Sequence, residues 1–125
     1  VQDSGMAQEG WIRVNPRTLE TAFPGVYAIG DCADTGTRKA GVFAEGAARA
    51  VASNLIVTLQ NSGQAAQYDG AGACYIEFGG DRVGKVEVDF FSGPKPTGTH
   101  HEPSVALRAD KEAFGASRRA RWFAM

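Results

Sequence analysis

The residues best suited to chemistry are bunched in one short stretch. The apolar run Val26-Tyr27-Ala28-Ile29 stops on Gly30-Asp31, and Cys32 follows at once. A glycine at that point lets a ligand come close to the backbone. An ionised carboxylate there is a strong acceptor for a sugar-type hydroxyl at neutral pH. In open α/β sheets, ligands bind in the crevice beyond the carboxyl ends of the strands, which is where Asp31 would stand. A little further on, Lys39-Ala40-Gly41-Val42 opens a small-residue segment. A helix starting near Ala40-Gly41 offers unpaired N–H groups and a positive dipole end, which suit a group that becomes negative on reduction.

Other reactive side chains lie apart. Cys74 alternates with Ile76 and Phe78, so it reads either as a redox thiol or as a small buried hydrophobe. Cys32 reads as packing. Asp31 has a plainer reading as a loop or cap residue, and Lys39 as a solvated lysine. His100-His101 sits in a Pro/Gly-rich stretch without a third ligand nearby, so an exposed pair is expected and no metal site.

The elements that must hold these residues follow from pattern. Residues 10–15 alternate as a short strand, with Trp11, Arg13 and Asn15 on one side and Ile12 and Val14 on the other. Pro16 and Pro24 mark a loop. The run 26–29 lacks alternation, which predicts a strand with both faces covered. Gly30 to Lys39 reads as a polar loop. Ala44, Ala47, Ala48, Val51, Leu55 and Leu59 recur at helical spacing and predict a helix from Gly41 to about Gln60. Gly41, Gly46 and the alanines allow either tight helix–sheet packing or a cofactor against the first turn. Residues 60–72 read as a linker. Cys74, Ile76 and Phe78 share one strand face, and Val86, Val88 and Phe90 another, which predicts a β-hairpin turning at residues 79–84. Residues 92–103 read as a loop, and Ser104 to about Phe123 as a helix.

Composition narrows the class. A net charge of −1 gives no electrostatic footprint for nucleic acid. No apolar run is long enough to cross a bilayer. Two cysteines without metal-ligand spacing make no disulfide framework and suit a reducing compartment.

The stretch Thr21 through Asp31, T-x-x-x-x-V-Y-A-I-G-D, resembles the second flavin-adenine-dinucleotide (FAD) fingerprint of two-dinucleotide-domain flavoproteins. These are the pyridine nucleotide-disulfide oxidoreductases, the type II NADH dehydrogenases and the sulfide:quinone oxidoreductases. Arg38 to Leu55 is similar to the segment that carries the flavin ring in the same families. With the linker and "YDGAGACYIEFG" the resemblance covers nearly the whole chain, and it is closest to the sulfide:quinone oxidoreductase branch.

The resemblance implies the following roles. Asp31 binds the ribityl chain of FAD, with Gly30 giving clearance. Ala40, Gly41 and Val42 present N–H groups to the pyrimidine edge of the ring. Lys39 lies beside the ring and favours its anionic reduced form. Cys74 falls where the branch often keeps a redox cysteine, whose thiolate could attack a sulfur intermediate or form a disulfide.

There are departures too. G-x-G-x-x-G, the first dinucleotide fingerprint, is absent, and Val1 stands where a methionine would start a chain. The expectation is a C-terminal part of a longer flavoprotein, partnered by a missing N-terminal half, and inactive and unable to retain FAD alone. Its parent would pass two electrons from a small donor such as sulfide through FAD to a quinone. Two other readings stand beside it: an NAD(P)H-dependent reductase like the type II NADH dehydrogenases, with Cys74 as packing, and an interface module that self-associates. "AGVFAEG" lacks the glutamines usual in type II NADH dehydrogenases. "SRRARWFAM" is only a short basic-aromatic end, against the amphipathic helix pair of membrane-bound relatives. The expected location is cytoplasmic, or peripheral on the cytoplasmic membrane. The expected fold is α+β: residues 1–65 as the closing part of an FAD domain, and residues 66–125 as a hairpin-plus-helix cap.

Overall fold

The computed structural model describes residues 2–124, without the side chain of Gln2. It has two helices and two three-stranded sheets, an α+β composition. The chain divides into two compact units: residues 1–72 with 89–97, and residues 73–88 with 98–125.

The first unit is built on helix α1, Gly41–Gln60. Its start and end are those the periodicity predicts. Phe43, Ala47, Ala50 and Val51 form the buried stripe, but the predicted face does not continue inward. Leu55 is 39% exposed and Leu59 83%, while the chain that returns along this end of the helix packs on Asn54 and Val57 instead. By length and composition α1 could also cross a membrane, though a core helix passes the same test. Asn61 ends the helix in the left-handed region (φ 50°) and returns its N–H to Thr58 and Val57.

A small sheet stands beside α1. Strand β1, Ala7–Gln8, pairs antiparallel with β2, Trp11–Arg13, which pairs in parallel with β3, Ala33–Asp34. Ile12 is buried while Trp11 and Arg13 are exposed, as the alternation predicts. The run 26–29 is different. It makes one antiparallel bridge, Tyr27 to Glu20, and Val26 and Ile29 are exposed. A run reads as a strand with two covered faces only if other strands flank it, and none does so among the described residues.

Two apolar clusters close this unit. Leu19, Ala47, Ala50, Val51 and Tyr68 form one, with Val14, Tyr27 and Phe91 against it; Ile12, Ala28 and Ala33 form the other. Residues 61–70 have no regular structure but are no free linker. The Asn54 side chain in α1 accepts the Ala66 N–H at Oδ1 (2.7 Å) and donates from Nδ2 to the Ala66 carbonyl (3.0 Å), and Tyr68 is 1% exposed. Aperiodic polar sequence hides such packing, because it rests on one aromatic and one amide.

The second unit contains β4 (Ala71–Gly79, from Ala73 onward), β5 (Arg82–Asp89, to Val88) and β6 (Thr97–Ser104, from Gly98), in the sheet order β4-β5-β6. The predicted hairpin is present. Gly80 and Asp81 both take positive φ (55° and 59°), as a two-residue primed turn requires. Strand β6 falls where the sequence predicts a loop; its Gly, His and Pro content conceals it. Helix α2, Ala106–Phe123, follows, and Ser104 Oγ accepts the Leu107 N–H at 3.3 Å. No α2 residue is buried. The helix is held by Tyr75 to Asp110 (2.8 Å), by the Tyr75–Phe114 ring pair (5.2 Å between centroids), and by the ion pairs Lys111–Glu77 and Arg108–Asp81. The contacts fall to Tyr75 and Glu77, so Cys74, Ile76 and Phe78 occupy the other, exposed side of β4.

Candidate functional site

Gly30 opens the site. Its φ of +74° lies in the left-handed region, where a side chain is costly. Space is not the constraint, since a Cβ would meet Ala44 at an ordinary 3.7 Å. From extended Ile29 the backbone turns through a short 3-10 segment, Gly30–Cys32, and the Ala33 N–H closes it onto the Gly30 carbonyl. Asp31 is thereby carried to the surface.

The loop that follows is pinned from below. Thr35, 5% exposed, and Thr37 share a hydroxyl–hydroxyl bond of 2.8 Å. Lys39 donates to the Ala33 carbonyl, and its ammonium stands 4.4 Å above the centre of the Trp11 ring. Helix α1 then begins from extended Ala40, whose carbonyl accepts from Phe43 and Ala44. The Gly41 and Val42 N–H groups have no carbonyl one turn back to pair with. Ala40 provides no capping side chain, and no acidic residue lies in the first turn. The positive end of α1 is bare.

These parts enclose a shallow, solvent-open notch of about 10 Å³, room for about one water molecule. Gly30 and Asp31 form one wall, Thr35, Thr37 and Arg38 a second, and Ala40, Phe43, Ala44 and Ala47 the third. Of the residues singled out in the sequence, Gly30, Asp31 and Ala40 meet here. Gly41 and Val42 flank the notch without lining it, and Val42 packs toward Gly72. Lys39 turns to Trp11 instead. Thr35, Thr37 and Arg38 are the residues that sequence reasoning passed over; the signal was the polar T-G-T-R spacing inside the loop.

Cys74 belongs to the second unit and is exposed, as is Cys32, whose Sγ lies 3.4 Å from the Ile29 carbonyl. Neither is the buried hydrophobe that packing alone would make it. His100 and His101 lie on β6 and face carboxylates: Glu102 at 3.5 Å and Glu87 at 2.7 Å. Among the described residues no three metal-ligating side chains gather.

The second unit also holds a charged network. Lys85 Nζ is 3.0 Å from Glu87 and 3.2 Å from Asp110. Glu87 first and Asp110 second push the Lys85 ammonium up to about 12. Lys85, then His101, holds Glu87 below the usual carboxylate range, and Tyr75, then Lys85, does so for Asp110.

The notch offers an acceptor for a hydroxyl at Asp31, and the free N–H donors of Gly41 and Val42 lie beside it at a positive helix end that suits a developing negative charge. No family model matches the chain. Among curated proteins, the mouse "Sulfide:quinone oxidoreductase, mitochondrial" is 28% identical over 89 residues, which is 70% of this chain and 20% of the relative. The chain thus spans about a fifth of the length of that relative.

Proposed function

We propose that this chain is the C-terminal part of an FAD-dependent oxidoreductase of the sulfide:quinone oxidoreductase type. The observation that carries the reading is the Gly30-Asp31 turn set in one notch with the bare start of α1. The partial similarity to a sulfide:quinone oxidoreductase supports it.

The residues present fit one edge of such a cofactor. Asp31 would accept a hydrogen bond from a ribityl hydroxyl. The Gly41 and Val42 N–H groups would face the pyrimidine edge and stabilise negative charge there. Arg38, on the opposite wall, adds a fixed positive charge. Bound FAD would supply two-electron transfer from sulfide to quinone. A notch of about 10 Å³ takes only a hydroxyl-sized group at one edge of a dinucleotide, so the rest of the site, the pyrophosphate side included, would come from the missing N-terminal half, and the 125-residue chain alone would be inactive. The exposed Val26, Ile29, Leu55 and Leu59 suit a surface covered by that half. The first unit, residues 1–72 with 89–97, would then complete the FAD domain, and the second, residues 73–88 with 98–125, would form the cap.

The test uses the full-length parent under anaerobic conditions. Flavin absorbance is followed on adding sulfide and, separately, NADH. Bleaching by sulfide alone, lost in Cys74→Ser, is the expected result and makes Cys74 the reacting thiol. Bleaching by NADH alone overturns the sulfide reading. Loss of flavin in Asp31→Ala, with the fold kept, is expected if Asp31 holds the cofactor; full flavin content in that variant removes the notch from the reading.

A further inference from the structure

We infer that the second unit carries a binding cleft for a small phosphate-type dianion, seated between Arg82 of β5 and Arg119 of α2. The inference is independent of the flavin reading, whose notch lies in the other unit and whose Cys74 does not line this cleft.

The cleft has a volume of about 530 Å³, within the range of small-ligand pockets. Its floor includes Val83, 4% exposed. One wall is the hairpin turn with Arg82. The other is a stripe on α2, where Arg108, Lys111, Gly115 and Arg119 recur at three- and four-residue spacing and so share a face.

The charges are unequal in what they have left to bind. Asp81 and Glu112 are both taken by Arg108, and Glu77 is taken by Lys111. Arg82 and Arg119 make no ion pair among the described residues. An incoming anion therefore meets two uncommitted guanidinium groups, from opposite walls, and no uncommitted carboxylate. Guanidinium forks match phosphate oxygens in pairs. Two such forks suit a ligand with two adjacent phosphate charges. Gly115 keeps the space beside Arg119 empty, since a Cβ built there would meet nothing within 4 Å.

The experiment is calorimetric titration of the 125-residue chain with inorganic pyrophosphate at low salt, with ADP titrated alongside. The expected result is saturable one-to-one binding that weakens with salt. Arg82→Gln and Arg119→Gln should each weaken it about tenfold, the loss of one charge-assisted contact. Gly115→Leu should weaken it by filling the cleft while keeping every charge, so it remains informative if an arginine variant fails to fold. Arg49→Gln, in the other unit, should change nothing. Tighter binding of ADP than of pyrophosphate makes a nucleotide the source of the phosphates; the reverse makes it free diphosphate. No saturable heat with either probe overturns the inference. So does unchanged affinity in folded Arg82→Gln and Arg119→Gln, or an equal loss in Arg49→Gln.

Discussion

The guanidinium of Arg17 lies 4.7 Å above the centre of the Phe91 ring and donates to the Phe91 carbonyl at 2.9 Å. The same group donates to the Tyr68 carbonyl at 3.1 Å, while the Arg17 carbonyl accepts the Tyr68 N–H at 2.8 Å. One side chain thus ties residues 68 and 91 to the loop before the short bridge. Arg17→Lys should cost about 1–2 kcal/mol, because an ammonium can keep one carbonyl but not both along with the planar stacking. Arg17→Met should cost more, about 2–4 kcal/mol, since both carbonyls lose their charged donor. Urea unfolding of the two variants checks this. An equal loss in both would mean that the fork geometry contributes nothing.

How much of this was legible in the sequence depends on the kind of signal. Helix α1 was readable from its alanine periodicity, and the 79–84 turn from glycine and aspartate. Strand β6 was not, because Pro, Gly and His dominate it and its pairing is supplied by β5. The clamp at Arg17 was invisible, since nothing local tells an arginine that its partners lie 51 and 74 residues away. Gly30 and Asp31 stood out because a short motif carries them. Thr35, Thr37 and Arg38 did not, because only the fold of the loop turns them to one wall.

Gly30 offers a direct test of what the motif glycine does. At φ +74° with its Cβ direction open to an ordinary contact, the need is conformational rather than steric. Gly30→Ala should destabilise the chain by about 1–2 kcal/mol, and Gly30→Asn by less, because asparagine tolerates the left-handed region. Thermal or urea unfolding separates them. Equal stability of all three forms would show that the backbone relaxes at this point.

Gly70 should be less forgiving than Gly30. It also has positive φ (70°), and a Cβ there would stand 2.4 Å from the Phe91 ring. Phe91 cannot retreat freely, being stacked edge-on against Tyr68 with centroids 5.8 Å apart and capped by Arg17. Gly70→Ala should therefore cost about 3 kcal/mol or more, the sum of backbone strain and overpacking. A loss no larger than that of Gly30→Ala would mean that the ring moves aside.

Tyr68 carries a polar atom in the wrong place for stability. The residue is 1% exposed, and its hydroxyl makes no hydrogen bond of normal geometry among the described residues. Burial holds its pKa up, with Thr37 near enough to draw it partly back. Removing an unsatisfied buried hydroxyl removes its desolvation cost, so Tyr68→Phe should stabilise the chain by about 1 kcal/mol. A loss of stability would show that the hydroxyl is bonded in solution, with Thr37 as the partner.

The Lys85 network sets the pH range of the second unit. Glu87 and Asp110 raise Lys85 from 10.5 to about 12, so its contribution is complete below pH 10.5 and is lost as pH rises through 12. Tyr75 is raised as well, by burial first and by Asp110 second. The unfolded chain therefore ionises its tyrosine first above about pH 10, which also lowers stability. On the acid side the signs reverse. Glu87 and Asp110 are held below their ordinary 4.5 and 3.8, so their contribution is complete above those values and is lost as pH falls through the folded ones. Stability should be level from about pH 5 to 10 and fall on both sides. Lys85→Met should soften the alkaline fall, because one raised group is gone, and shrink the acid fall, because both carboxylates lose a cation. Urea midpoints measured across that range decide it. An alkaline limb identical in wild type and Lys85→Met would assign the high-pH loss to the raised tyrosines, Tyr75 and Tyr68, and not to Lys85.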